Sequence, residues 1–360
     1  MAPPRRLTQK EIARLAGVSQ ATVSLVLNSA TNGDARIPEE TRERVEKVIR
    51  DTGYVADPVA RRMAKGLNRI LGVFTYEPAF PSDQADFFAP FMLGIEEAAQ
   101  SLGYDLLLFT ATPDGRRRIF DEHTRLRLAD GCLIIGRSFD RDELARLVAG
   151  DYPFVAIGRR DDAGGPVPYV GADYARAAAH MVERAVALGH RRFAYIGNPD
   201  RAESMRDRFQ GFHDGVAAHG AELALHVPEA RRPADEILDA IAAAGVTVAF
   251  FLELADAVEV EAAARRRRLS VPGDLSLVVT GSHERARRPA GADFTSFGIP
   301  REEMGRQATA MLAGMLEGRS GPGQVLVPCD IVAGATLGPI GPAATRPAPS
   351  KTRHKKEDVT

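Results

Sequence analysis

From Ile70 onward the chain alternates short apolar runs with longer amphipathic stretches, and this pattern constrains its fold more than any other feature. The runs ILGVFTY, YDLLLFTAT, GCLIIG and PFVAIG are separated by FMLGIEEAAQSLG, a further helical stretch and DELARLVAG. After Asp173 the alternation resumes with YARAAAHMVERAVALG, RFAYIG, SMRDRFQGFHDGVAAHG, TVAFFL, VEVEAAARRRR and LSLVVTG. Continuous apolar runs mark strands buried on both faces, and helical crossovers between them require a mainly parallel sheet. The expectation is an α/β core in two halves, with the chain crossing between them. At 360 residues with 44% hydrophobic content, there is room for two or three domains around packed cores.

A different pattern precedes this. In Thr8 to Asn28, TQKEIARLAGVSQATVSLVLN, two short helical runs meet at Ala-Gly-Val. Thr8 and Glu11 have capping-box spacing, which predicts a helix from Gln9 to about Ala16, ended by Gly17. Ser19 can cap a second helix from Gln20 to about Asn28, with Val23, Val26 and Leu27 inward. Ile12, Leu15, Ala16 and Val18 are expected to close the opposite side. Helices this short need a third partner, which Pro38-Glu39-Glu40 opens and Gly53 ends. Such a hairpin predicts a helix-turn-helix that presents its second helix to a DNA major groove.

Charge distribution agrees with this division. Up to Asn68 there are 12 Lys/Arg against 8 Asp/Glu, and beyond it 35 against 40. A basic head on an acidic body suits a DNA-binding module attached to a part that avoids DNA. No apolar run approaches the roughly 18 residues that a bilayer span needs, and MAPPRRLTQKE lacks a signal-peptide core. No membrane partner and a cytoplasmic protein are therefore expected. Cys132 and Cys329 lack metal spacing and read as buried thiols. His180, His190, His213 and His219 read as surface or helix-end residues. With no P-loop, GxGxxG or nucleophile elbow, neither a cofactor, a metal nor a catalytic site is expected, and the chain does not read as an enzyme.

The words GVSQATVSLVLN, followed by Ile37-Pro38-Glu39-Glu40-Thr41, Gly53-Tyr54 and Ala60-Arg61, resemble the lactose/galactose-repressor (LacI/GalR) family of bacterial transcription regulators. The likeness runs to about Pro339. It implies an all-α helix-turn-helix DNA-binding headpiece (1–57), a hinge helix and linker (58–68), and an α/β two-lobed periplasmic-binding-protein-like core for effector binding and dimerisation (69–339). The Pro-rich, charged stretch 340–360 reads as a disordered tail.

On the second helix Gln20, Ala21 and Leu25 fall outward, flanked by Ser19, Thr22 and Ser24. Gln pairs bidentately with adenine, and Ala or Leu touches a thymine methyl. Many relatives carry Arg where Leu25 stands, so a guanine contact is replaced by an apolar one. Thr8, Gln9, Ser19 and Asn28 suit phosphates, which set register; helix capping is the alternative for Thr8 and Gln20. The resemblance makes Val59, Ala60 and Met63 a minor-groove wedge on the hinge helix, with Met63 where Leu is usual. A plain linker is the other reading.

In the core the resemblance carries Arg208, in SMRDRFQGF, over as an effector-binding residue, with Ser204 and Arg206 in the same helix start and Asp173 at a crossover between lobes. A solvated side chain or a structural ion pair is the alternative for Arg208. Glu253-Leu254 stands where relatives have Asn-Asp, and Val279-Thr280-Gly281-Ser282 where they have Gly-Phe-Asp-Asp, so Glu253 and Gly281 mark a remodelled pocket. Phe80, Phe87, Phe88 and Phe91 lie after the first strand, where an aromatic such as Phe88 can stack on a ligand, although at least two belong to the core.

These readings predict a homodimeric transcription regulator, a repressor, on a pseudo-palindromic double-stranded DNA operator. A small polar effector, sugar-like or unknown, in the inter-lobe cleft would modulate its DNA affinity. The alternatives are a small-molecule binding protein whose N-terminal helices make protein contacts, or a regulator that has lost small-ligand control.

Overall fold

The computed structural model describes residues 7–29, 37–54, 67–77, 85–110, 118–120, 126–137, 139–150, 152–228, 232–281 and 293–341. The chain divides into two compact units, one of residues 1–70 with 128–130 and the other of 71–127 with 131–360.

In the first unit, helices α1 (Gln9–Ala16), α2 (Gln20–Ser29) and α3 (Glu39–Thr52) surround a core of Ile12, Ala13, Ala16, Val23, Val26, Val45 and Tyr54. The capping box forms: the Thr8 hydroxyl accepts from the Glu11 amide at 3.3 Å, and the Glu11 carboxylate accepts from the Thr8 amide at 2.8 Å. Gly17 ends α1 with φ +65°, a left-handed conformation that other residues resist. Leu15, expected inside, is 49% exposed, and Ala13 takes its place in the core. The inward stripe runs through Ile12, Ala13 and Ala16, one turn of helix, and Leu15 lies off it.

The second unit begins with β1 (Ile70–Thr75), α4 (Ala85–Leu102), β2 (Asp105–Phe109), β3 (Gly131–Ile135), α5 (Arg141–Ala149), β4 (Phe154–Ile157) and β5 (Tyr169–Ala172). It continues through α6 (Tyr174–Ala187), β6 (Arg192–Ile196), α7 (Glu203–Ala218), β7 (Glu222–Val227), α8 (Ala234–Ala243), β8 (Val248–Phe251), α9 (Leu254–Arg266) and β9 (Ser276–Val279). The last elements are β10 (Thr295–Gly298), α10 (Arg301–Leu316), β11 (Gln324–Val327) and β12 (Asp330–Val332). Helix α4 starts well before Phe91, the expected start, and carries Pro90 inside it. Between β2 and β3 the described residues hold only a 3-10 turn, Leu126–Leu128, where a helix was expected.

Two six-stranded sheets result, ordered β11-β5-β4-β3-β1-β2 and β12-β10-β9-β8-β6-β7. In the first, the pairs from β11 through β5, β4 and β3 to β1 are parallel. In the second, all are parallel except the closing β10–β12 pair. Strands β3, β4, β8 and β9 are buried along their full length, as sheets covered on both faces require. The chain passes between lobes three times: from β5 to α6 at Asp173, from β10 through α10 to β11, and from β11 to β12 around Cys329.

Two sequence expectations fail here. His190 is 1% exposed, with Nδ1 2.9 Å from the Thr247 hydroxyl and Nε2 3.0 Å from the Gly338 carbonyl. The chain returning to Gly338 covers it, and local sequence carries no trace of that cover. Cys132 is buried as expected, whereas Cys329 is only partly so, because it lies on the connection between lobes.

Candidate functional site

Two places bring functional side chains together. On α2 the core residues Val23 and Val26 leave Gln20, Ala21 and Leu25 facing out, and Leu25 is 46% exposed. Ser19 is exposed and accepts from the Thr22 amide at 3.1 Å, its hydroxyl 2.9 Å from that of Thr22. Ser24 is half-buried. Thr8 is exposed but engaged in its capping box, and Gln9 is half-buried. The Asn28 side chain, Phe80 and the wedge residues Val59, Ala60 and Met63 lie outside the described residues.

The second place is a cavity of about 450 Å3 between the lobes of the core. It sits at the carboxyl ends of strands from both sheets, the position ligands take in open α/β folds. Behind β3 and β4 come Gly136, Arg137 and Ile157 to Arg160; behind β8 and β9 come Leu252 to Leu254 and Val279 to Gly281. Helix α7 contributes Ala202, Ser204, Met205 and Arg208 at its start. Phe87 and Phe91 of α4 and Tyr174 of α6 supply aromatic surface.

The arginines differ in how they are held. Arg159 forks onto Asp207 through Nε and Nη2 at 2.6 and 2.7 Å, and gives Nη1 to Asp161 at 2.8 Å. These bonds to Asp207 raise its pKa above the ordinary value. Asp161 also pairs with Arg206, and although burial alone would raise its carboxyl, the two guanidiniums hold it low. Arg160, 4% exposed, donates to the Gly136 carbonyl at 2.7 Å and to Glu203 at 3.2 Å, with its guanidinium 3.8 Å over Phe139. Burial pulls its pKa down, and Glu203 opposes. Three consecutive residues after β4 thus pair with Glu203, Arg206 and Asp207 of α7, tying the lobes on one side of the cavity. Arg208 is 9% exposed, lies 3.9 Å over the Tyr174 ring and donates Nη1 to the Ser204 carbonyl at 3.1 Å. Below it Tyr195 is fully buried, and burial pushes its hydroxyl up to about 12.

Of the residues singled out from sequence, Arg208, Ser204, Glu253 and Gly281 line this cavity. Asp173, Arg206 and Phe88 are not among its lining residues. The Asp173 carboxylate caps α6 by accepting from the Arg176 amide at 3.1 Å. Arg206 points to Asp161 and, two residues before Arg208 on the helix, lies about 200° around from it. Phe88 is buried at 2% with its ring 4.9 Å from that of Phe87, which lines the cavity along with Phe91. Phe87 and Phe91, four residues apart, share a helix face, and Phe88, one position along from Phe87, is turned off it. Sequence reading missed Arg137, Arg159, Arg160 and Arg301; the signal was their position directly after apolar runs or at a helix start.

Among the described residues, no group of three or more His, Cys, Asp or Glu can hold a metal, and no helix is long and apolar enough to cross a membrane.

Comparison with known proteins agrees with this anatomy. Residues 8–57 match the bacterial regulatory proteins, lacI family. Residues 79–246 match the periplasmic binding proteins and sugar binding domain of LacI family, and residues 182–337 match the periplasmic binding protein-like domain. The HTH-type transcriptional regulator CelR of Thermobifida fusca is 30% identical over 227 residues, which span 61% of this chain but only 63% of CelR. The HTH-type transcriptional repressor MelR of Bacillus subtilis (strain 168) is 26% identical over 349 residues, 91% of this chain and 97% of MelR. A solved lac repressor dimer bound to operator and the anti-inducer ONPF shares the fold with a TM-score of 0.72 at 19% identity, covering 93% of this chain and 100% of that one. The fold is thus a helix-turn-helix headpiece joined to a two-lobed periplasmic-binding-protein-like core. Both parts are matched in order along one chain, the headpiece by the bacterial regulatory proteins of the lacI family and the core by the sugar binding domain of that family.

Proposed function

We propose that the chain is a sequence-specific, DNA-binding transcription regulator, a repressor that binds a pseudo-palindromic operator as a homodimer in the cytoplasm. A small polar molecule in the inter-lobe cavity modulates its affinity. The observation that carries this reading is the outward face of α2, where Gln20, Ala21 and Leu25 stand clear of a packed three-helix core. Gln20 reads adenine, Ala21 and Leu25 touch thymine methyls, and Ser19, Thr22, Ser24 and Gln9 set register on the phosphates and sugars. Thr8 serves chiefly to cap α1, and Asn28, Val59, Ala60 and Met63 complete the interface. No catalytic role is assigned to any residue.

The modulation is a linkage: a molecule that prefers one lobe arrangement shifts DNA affinity only by its difference in affinity between arrangements. The test is selection of bound DNA from a random pool, followed by gel shifts. A half-site repeated with two-fold symmetry is expected, and Gln20→Ala should weaken the selected site by about 1–3 kcal/mol. Specific binding that survives deletion of residues 1–68 overturns the proposal.

A further inference from the structure

The chemistry of the cavity wall narrows what it holds. Among its described lining residues are five arginines, Arg137, Arg159, Arg160, Arg208 and Arg301, against one carboxylate, Glu253, with no Asp, Asn, Gln or His. The hydroxyl of a neutral sugar donates as well as accepts, so a site for it needs acceptors. This wall offers donors.

Arg159 and Arg160 are neutralised by Asp207, Asp161 and Glu203. Arg208 has no such carboxylate among the described residues. Its Nη1 serves the Ser204 carbonyl, while Nε is buried with no hydrogen-bond partner among the described residues. Its Nη2 lies 3.8 Å from where a Cβ on Gly281 would stand, so a side chain there would rest in van der Waals contact with this end of the guanidinium. Nε and Nη2 form one edge, the same edge with which Arg159 grips the two oxygens of Asp207. A guanidinium edge of this kind matches two oxygens of a carboxylate or phosphate.

Backbone electrostatics point the same way. Helices α7, α9 and α10 begin at the cavity, and their N-cap residues Ala202, Glu253 and Pro300 make no side-chain cap. Helices α5 and α6 are instead capped by Asp140 and Asp173, which are not among the lining residues. Uncapped N-termini present amides and a positive dipole end to an anion. Arg137 and Arg301 stand 4.7 and 5.6 Å from the centre of the Phe87 ring and add charge beside the apolar wall of Phe91, Leu252 and Met304.

We propose that the cavity takes a small organic oxyanion, a phosphate ester or carboxylate on a body of monosaccharide to mononucleotide size, with its oxygens on the Nε/Nη2 edge of Arg208. This rests on the cavity being the effector site proposed above. Glu253 then accepts a hydroxyl of the ligand body.

The test is a thermal-unfolding series on the full chain at matched ionic strength. The probes are inorganic phosphate against chloride, hexoses against their 6-phosphates and 6-carboxylates, and nucleosides against their 5′-monophosphates. Anionic members should raise the midpoint by a few degrees where their neutral parents do not. Arg208→Lys, which keeps charge but loses the fork, should weaken the shifting probe at least tenfold in calorimetry, while Arg137→Lys should weaken it less. A neutral parent that shifts the midpoint as much as its anion overturns the proposal, as does a full anionic set that leaves the midpoint where chloride puts it. Either result leaves operator binding untouched, and failure of operator binding leaves this result standing.

Discussion

At the residue scale, His190 shows how burial becomes pH dependence. Because a carbonyl only accepts, the Nε2 facing Gly338 carries a proton; burial favours the neutral ring, in which Nδ1 accepts from the Thr247 hydroxyl. Burial lowers its pKa in the folded chain, and the Gly338 bond opposes. The unfolded imidazole binds its proton near pH 6.5 while the folded one resists, so the unfolded state takes up more protons below that pH. This contribution is complete above about pH 6.5 and is lost as pH falls from there toward the folded pKa. Urea midpoints measured from pH 8 to 5.5 should drop on acidification, and His190→Gln should flatten that part of the drop. An equal drop in wild type and variant would remove His190 as its source.

At the element scale, close helix contacts set the packing around the cavity. A Cβ on Gly94 of α4 would come within 1.9 Å of the Glu302 carbonyl oxygen, and one on Gly305 of α10 within 2.4 Å of the Phe91 carbonyl oxygen. A Cβ on Gly211 of α7 would come within 2.0 Å of the Ala175 carbonyl oxygen. The backbones touch, so no side chain fits without moving a helix. Gly211→Ala should therefore cost about 1–3 kcal/mol in urea unfolding. In the first unit, Thr8→Ala removes the acceptor for the Glu11 amide and should cost about 1 kcal/mol. Calorimetry of the isolated 1–68 segment alongside the full chain would assign that loss to the headpiece.

At the scale of the whole molecule, the pairing of Arg159 to Asp161 with Glu203, Arg206 and Asp207 is a seam between lobes. Asp207 is 16% exposed and meets two nitrogens of Arg159, whereas the Asp161–Arg206 pair is more open to solvent. Asp207→Asn should weaken the seam by about 2 kcal/mol, since hydrogen bonds to charged groups are the stronger kind. Small-angle scattering of the variant should show a wider spread of lobe separations. If ligand and operator are coupled, each must change the other's affinity by the same factor, which titrations run in both orders will measure.

The headpiece was legible because its signals are local. A capping box, a left-handed Gly17 and two Val positions one face apart act within a few residues, and they specify helices and their inward side. The parallel sheets were legible for a similar reason, since strands covered on both faces must be apolar throughout. The cavity was not. Phe87 and Phe91, four residues apart on one face of α4, line it, whereas Phe88 is buried in the core. Arg208 keeps a free edge, while Arg159, which follows an apolar run equally well, is engaged by Asp207 from the other lobe. Residue type and position placed these arginines near strand ends and helix starts. Which one remained to meet a ligand depended on carboxylates that only the packing of two lobes brought within reach.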